Sequence, residues 1–280
     1  MPSPAANIFC WVLIPDTVCR AMPRLLKALG QHHLIHGGLC APLVRFLQPA
    51  NSSVLEIGPG GGVLTEVLQE SGAKTWAWEL DPAWAFELRR RLGAAVPVVI
   101  GDALALPWEF LPEGTLVAGN LPYQVSTAII QRVIEQHLRV PRAGFLVQRE
   151  VAERLAATPR SSDYGALSIL VQARAEVRIL GHLKPGSFRP PPKVDSAFVG
   201  LTLRSPPLPE EEMPELARLV RFAFGQRRKV LRNSLAAGLG KPLAAAVTAN
   251  LPPKVRAEEL DLADFLRLHQ AVRKERGLAG

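Results

Sequence analysis

The 280-residue sequence has only three cysteines, Cys10, Cys19 and Cys40, too few and too scattered for a disulfide framework or a metal knuckle. A reducing cytoplasm suits that composition, and no metal is expected. Long hydrophobic runs are also missing: nothing approaches the roughly 20 apolar residues of a membrane span. The most apolar early stretch, 5–14, contains Asn7 and has no basic region before it, so neither a signal peptide nor a membrane association is expected. No internal repeat is visible. Acidic residues are in deficit, 25 against 33 Lys and Arg, for a net charge of +8, which points to a polyanionic partner. Most of that excess lies late in the chain. Residues 204–280 carry a net +5 and residues 1–203 a net +3.

What is present is an alternation of short apolar runs with helical periodicity. The segments 53–57, 74–79, 96–100, 115–119 and 143–148 predict buried strands, with helices between them. Such alternation gives parallel strand–helix–strand units and a doubly wound sheet covered on both faces, an α/β fold. Two further strands are predicted at 177–183 and 196–203, separated by a proline-rich stretch. Ser205-Pro206-Pro207-Leu208-Pro209 reads as a linker, because three prolines in five residues cannot continue a helix or a central strand. Beyond it, Leu216, Leu219, Val220 and Ala223, then Val230, Leu231 and Leu235, recur at helical spacing and predict a small helical domain. The expected organisation is a poorly ordered extension over 1–26, a catalytic domain over 27–204 and a helical domain over 210–280.

The first strand runs into Gly58-Pro59-Gly60-Gly61-Gly62, and a helix begins near Val63. Glycines at these positions let the backbone turn sharply and approach a ligand. The spacing is G-x-G-x-G, with Val63 where a dinucleotide fingerprint needs its third glycine. Glu79 ends the next strand, placed to accept the two hydroxyls of an adenosine ribose, which alone fits either kind of cofactor. Asp102, after Gly101 at the end of the third strand, suits an adenine amino group. Two acids at successive strand ends favour S-adenosylmethionine.

The fourth strand is followed directly by Asn120-Leu121-Pro122-Tyr123. Adenine N6 is a weak nucleophile because its lone pair is delocalised into the ring. Two acceptors that hold its N–H groups out of the ring plane aim that lone pair at an electrophilic methyl group. The side-chain oxygen of Asn120 and the main-chain carbonyl of Leu121 can be those acceptors. Pro122 biases Leu121 toward extended geometry, and Tyr123 offers a flat face to a base.

With these motifs in order, the chain resembles the bacterial small-subunit rRNA adenine-N6,N6-dimethyltransferases, the kasugamycin-sensitivity enzymes. Lys27-Ala28-Leu29-Gly30-Gln31-His32-His33-Leu34 is similar to the segment that folds over the cofactor. Glu56–Gly60, Glu79-Leu80-Asp81, Gly101-Asp102-Ala103 and Asn120–Tyr123 match the cofactor and catalytic motifs; Phe145–Arg154, Tyr164–Ser168 and Phe188–Ala197 match further on. The resemblance implies a Rossmann-like S-adenosylmethionine-dependent methyltransferase sheet with a small C-terminal helical domain. It implies cofactor contacts from His32, Leu34, Gly58, Gly60, Glu79, Leu80, Asp102, Ala103 and Asn120, and it puts Phe188 opposite Tyr123 across the target base. The implied reaction is dimethylation of N6 on two adjacent adenines in the 3′-terminal hairpin loop of 16S rRNA. The implied partner is an immature small ribosomal subunit, and a monomer is expected. One residue departs from the family: His33 stands where an aromatic, most often Phe, is usual.

The segment 224–235 places Arg227, Arg228, Lys229 and Arg232 within two predicted helical turns, with Arg228 and Arg232 on one face. In the family this segment abuts the catalytic cleft, so phosphate contact is expected. Arg189 and Lys193, flanking the proline run, are weaker candidates. The large-subunit rRNA adenine methyltransferases of macrolide resistance share the fold, but the segments 188–197 and 226–235 look less like theirs. A non-catalytic RNA-binding or ribosome-assembly factor is the alternative from another class, and the intact Asn120 and acid pair argue against it.

Overall fold

The computed structural model describes residues 32–226 and 228–278. The extension expected over 1–26, the segment from Lys27 to Gln31, and Arg227 lie outside the described residues.

The described chain opens with a two-residue strand, β1 (His33–Leu34), and α1 (Ala41–Leu47). Then come β2 (Ser53–Ile57), α2 (Val63–Glu70), β3 (Lys74–Glu79), α3 (Pro82–Leu92) and β4 (Val98–Ile100). After β5 (Leu116–Asn120), α4 (Ser126–Ile134) and β6 (Arg142–Gln148), two helices follow, α5 (Arg149–Ala156) and α6 (Ala166–Gln172). β7 (Ala175–Leu183), the two-residue β8 (Phe188–Arg189) and β9 (Ser196–Leu203) complete the strands. Past the proline linker lie α7 (Met213–Phe224), α8 (Leu231–Leu239), α9 (Lys241–Val247) and α10 (Leu262–Glu275).

Seven strands form one sheet in the order β4-β3-β2-β5-β6-β9-β7. β2 is buried along almost its whole length, as a strand covered on both faces must be. Its neighbours β3 and β5 are both parallel to it but are reached in opposite directions along the sheet. That reversal opens a crevice at the carboxyl ends of β2 and β5, where open α/β sheets bind ligands. The sheet is an α/β doubly wound sheet with the expected parallel units, and at one edge, among the two further strands, β9 runs antiparallel to both β6 and β7. The segment joining β7 to β9 carries no helix, and a parallel return would need a crossover of a dozen or more residues, usually helical.

Helices cover both faces. Leu121, Ile129, Ile130 and Val133 pack with Phe145 and Val199 in one apolar cluster, while Leu43, Leu47, Leu64 and Leu68 pack with Leu146 and Phe198 in another. A third cluster joins the last four helices around Phe265 and draws in Ala157, Tyr164, Ile169 and Ala173 from the α5–α6 region. The Tyr164 hydroxyl donates to the Leu260 carbonyl at 2.9 Å within it.

The expected basic helix face is corrected by the structure. α7 ends at Phe224 and α8 begins at Leu231, so Arg228 and Lys229 sit in the turn between helices and only Arg232 is helical. Gly225 is the C-cap of α7, still at right-handed helical dihedrals, and Val230, at φ −58° and ψ 140°, is the N-cap of α8.

Candidate active site at the carboxyl edge of the sheet

The glycine turn leaves β2 with Gly58, Gly60 and Gly62 at φ of 66°, 48° and 75°. A side chain at Gly60 would be strained by that φ and would also lie 2.6 Å from the His33 ring. The turn is held from three directions. Glu79, at the end of β3, accepts from Gly60 N–H through Oε2 at 2.9 Å and from Asp81 N–H through Oε1 at 2.9 Å. His33, on β1, accepts from Gly61 N–H through Nδ1 at 2.7 Å. Arg91, on α3, donates to the Gly61 carbonyl at 2.6 Å.

Together with the loop after β5, the turn walls a cavity of about 340 Å³. His32, Leu34, Gly58, Gly60, Glu79, Leu80, Asn120, Leu121, Pro122 and Tyr123 all line it, so most of the residues singled out in the sequence meet at one place. Asp102 and Ala103 do not. β4 stands one strand beyond β3, and the Asp102 carboxylate caps the turn that follows by accepting from Leu104 N–H at 2.9 Å, while Ala103 is buried in the core. Phe188 is also absent from the wall: it is 4% exposed and packs in the apolar cluster with Leu34, its strand partner.

The ring beside Tyr123 is that of His32, stacked at a centroid distance of 5.6 Å with 28° between planes. Its Nδ1 lies 2.8 Å from the Pro190 carbonyl. Tyr123 is fixed at its other end by a 2.7 Å hydrogen bond between its hydroxyl and Ser196 on β9. Burial pushes its phenol above the ordinary range, so it stays protonated.

Asn120 donates its side-chain nitrogen to the His32 carbonyl at 2.7 Å. A carbonyl can only accept, so this bond fixes which end of the amide is which and leaves Oδ1 as the end that no described donor claims. The Leu121 carbonyl likewise accepts no hydrogen bond from the described residues, while Leu121 N–H is held by Leu146 at 3.1 Å. The loop thus presents two main acceptors on a rigid strand end.

Several wall residues have no role assigned from the sequence, among them His33, Glu56 and Gln124. Glu56 carries a readable signal, a carboxylate between Leu55 and Ile57 in an apolar strand. It is 1% exposed, and Oε2 has no partner among the described residues. Burial pushes its carboxyl up to about 8, against the pull of the Thr65 hydroxyl and with Glu79 adding repulsion. Glu79 is raised as well, mainly by burial, against the pull of its backbone N–H donors.

Of the basic candidates, Arg189, Lys193, Arg228, Lys229 and Arg232 are exposed. Arg189 is the strand partner of His33, beside the cavity. Among the described residues no carboxylate pairs with Arg228, Lys229 or Arg232, in contrast to Arg174, which is clamped by Glu210.

Residues 24–274 match the model of a family described as ribosomal RNA adenine dimethylase. A ribosomal RNA small subunit methyltransferase A of Pseudomonas aeruginosa is 42% identical over 255 residues, 88% of this chain and 93% of its own. A protein of the same name from Anaeromyxobacter dehalogenans is 40% identical over 266 residues, 89% of this chain and 94% of its own. Among solved structures, a dimethyladenosine transferase from Plasmodium falciparum superposes with a TM-score of 0.72 at 26% identity, covering 88% of this chain and 98% of that one. The 23S rRNA methyltransferase ErmE gives a TM-score of 0.62 at 26% identity, covering 83% and 97%.

Proposed function

Because the chain belongs to the ribosomal RNA adenine dimethylase family, we propose that it dimethylates N6 of two adjacent adenines in the 3′-terminal hairpin loop of 16S rRNA. Its methyl donor is S-adenosylmethionine. In this reading its substrate is an immature small ribosomal subunit in the cytoplasm, and it acts as a monomer. The observation that carries the reading is the pair of unclaimed oxygens, Asn120 Oδ1 and the Leu121 carbonyl, on the wall of a cavity floored by the glycine turn.

The residues present fit the cofactor. Glu56 Oε2, buried on the wall without a described partner, offers an acceptor to an ammonium group. Glu79 accepts from the Gly60 and Asp81 N–H groups and, with about four lone-pair sites on its two oxygens, keeps acceptor capacity for ribose hydroxyls. Asp102 stands farther out with an exposed carboxylate for an adenine amino group. When bound, S-adenosylmethionine supplies an electrophilic methyl group on a sulfonium.

The chain's own residues prepare the nucleophile. Asn120 Oδ1 and the Leu121 carbonyl accept from the two N–H groups of the target amine, which draws the nitrogen toward tetrahedral geometry and frees its lone pair. As positive charge builds on that nitrogen, the same preorganised oxygens stabilise it, and after each transfer the methylated nitrogen releases one proton to solvent, so no general base is needed; in the second transfer a single N–H remains to be held. Tyr123, anchored by Ser196, supports the base face. An adenine in a loop is the substrate that costs least to unstack, and the basic surface positions its phosphates. Phe188 would have to come out of its apolar packing to sandwich the base, and His32 already holds the neighbouring position.

The small-subunit assignment is supported by the curated relatives at 40–42% identity, all small-subunit enzymes, against 26% for ErmE. Reverse transcription of both rRNAs after treatment with the protein tests it. Stops are expected at adjacent adenines near the 3′ end of 16S rRNA; stops confined to 23S rRNA would overturn the assignment.

A further inference from the structure

His33 puts an imidazole where the lid strand meets the cofactor turn. Its Nδ1 accepts from Gly61 N–H at 2.7 Å, and its ring lies against Trp84 at a centroid distance of 4.4 Å. It fills the space over the turn so closely that a Cβ on Gly61 would come within 2.8 Å of it. The next N–H groups of the turn are held by other means, Gly60 by Glu79 and Gly62 by the Pro59 carbonyl. His33 also lies directly opposite Arg189 in the β1–β8 pair, so its strand ties the cofactor turn to the segment that carries Phe188 and the proline run.

We propose that His33 is a positioning residue, a proton-sensitive latch that holds the lid strand on the glycine turn only while Nδ1 is unprotonated. The inference rests on reading the cavity as the S-adenosylmethionine site. An amide N–H can donate only to a bare ring nitrogen, so the latched imidazole is neutral and carries its proton on Nε2. Protonating Nδ1 sets two donors face to face and turns the bond into repulsion. Burial holds the His33 pKa below 6.5, with the neighbouring His32 adding to the effect, as a site built for the neutral ring requires.

Above the ordinary value of 6.5 both the latched and the released ring are neutral, and the latch is at full strength. As pH falls below that value the released ring takes up a proton first, so release is progressively favoured. The other titratable and charged groups around the ring are His32, the residue before it, Arg189 on β8, Glu79 at the end of β3, and Arg91 on α3 with its partner Glu66 on α2. Glu56, deeper on β2, is pushed up to about 8 and titrates above the acidic range.

Two variants separate acceptor from ring. His33→Phe keeps an aromatic body against Trp84 and loses the acceptor. His33→Asn keeps an acceptor, since its Oδ1 stands at the same distance from Cβ as Nδ1 does, and cannot titrate. The test is calorimetric binding of S-adenosylhomocysteine to the full chain between about pH 5 and pH 7, with long-range nitrogen–proton correlation spectra of the histidines at the upper end. The wild type should weaken by about five-fold on acidification, the scale of one hydrogen bond to a buried donor, and both variants should be flat. His33→Asn should bind more tightly than His33→Phe near neutral pH. The spectra should show His33 as the Nε2–H tautomer.

A His33→Phe variant that keeps the acidic weakening would overturn the latch and assign the weakening to another group. So would a flat wild-type profile, or a proton found on Nδ1 at neutral pH. Failure of S-adenosylhomocysteine to bind at any pH would instead overturn the cofactor reading, and the tautomer would still decide the hydrogen bond.

Discussion

The side-chain nitrogen of Asn120 and the main-chain oxygen of His32 are 2.7 Å apart, joining the end of β5 to a lid segment 88 residues earlier in the chain. The bond gives the amide a single orientation, with Oδ1 claimed by no described donor. It also ties the orientation of Asn120 to the placement of His32.

Asn120→Ala should therefore separate binding from chemistry. The glycine turn and Glu79 remain, so S-adenosylhomocysteine should bind within a few-fold of wild type. Single-turnover methyl transfer should fall by about 10²–10³, the usual loss for one preorganised group at a charged transition state. Asn120→Asp should be no better, because a carboxylate facing the His32 carbonyl has no proton to donate.

Tyr123 offers a graded test. Tyr123→Phe loses only the bond to Ser196 and should cost about 1 kcal/mol of stability while keeping most activity. Tyr123→Ala loses the stacking face and should reduce kcat/KM on RNA by roughly 10- to 100-fold, matching 1–3 kcal/mol per stacked base. Equal losses in the two variants would mean that the hydroxyl, not the ring face, matters.

Much of the fold and the site is legible in the sequence, for physical reasons that particular residues show. β2, β5 and β6 are buried nearly throughout, so they appear as largely apolar runs, and Asp81-Pro82 announces α3 by a capping carboxylate and a proline at the first helical position. β4 starts at Val98 rather than Val96, since Pro97 has no N–H to give the ladder. The antiparallel place of β9 depends on pairing with strands about fifty residues earlier in β6 and about twenty earlier in β7, which no local pattern encodes. Arg228 and Lys229 look helical in sequence because their spacing to Arg232 suits a helix, yet α7 ends at Phe224 and α8 starts only at Leu231. His33 is visible as a departure from the family, but its bond to Gly61, 28 residues away, is not.

The turn between α7 and α8 still exposes Arg228 and Lys229, with Arg232 close by. Replacing all three by Gln should weaken RNA binding and flatten its salt dependence by about 0.7 in log–log slope for each phosphate of a single strand that is no longer neutralised. Filter binding across a salt series measures it. An unchanged slope would make the cluster an ordinary solvated surface.

Stability should show an acid-side signature from the linker. Arg174 clamps Glu210 and holds its carboxyl below the ordinary 4.5. A depressed carboxyl contributes stability that is present above the unfolded value and lost as pH falls through the folded one. Glu210→Gln should therefore lower the unfolding midpoint near neutrality and narrow its gap to wild type below about pH 4. Half of the Glu210 side chain is solvent-exposed, so the effect should be small.

Whether this cavity methylates adenine in small-subunit rRNA is tested most directly by nucleoside mass spectrometry. Immature small subunits and, separately, large subunits are incubated with the protein and isotope-labelled S-adenosylmethionine. Labelled N6,N6-dimethyladenosine is expected from 16S rRNA, abolished by Asn120→Ala. No label in 16S rRNA, or label only in 23S rRNA, would contradict the proposed activity.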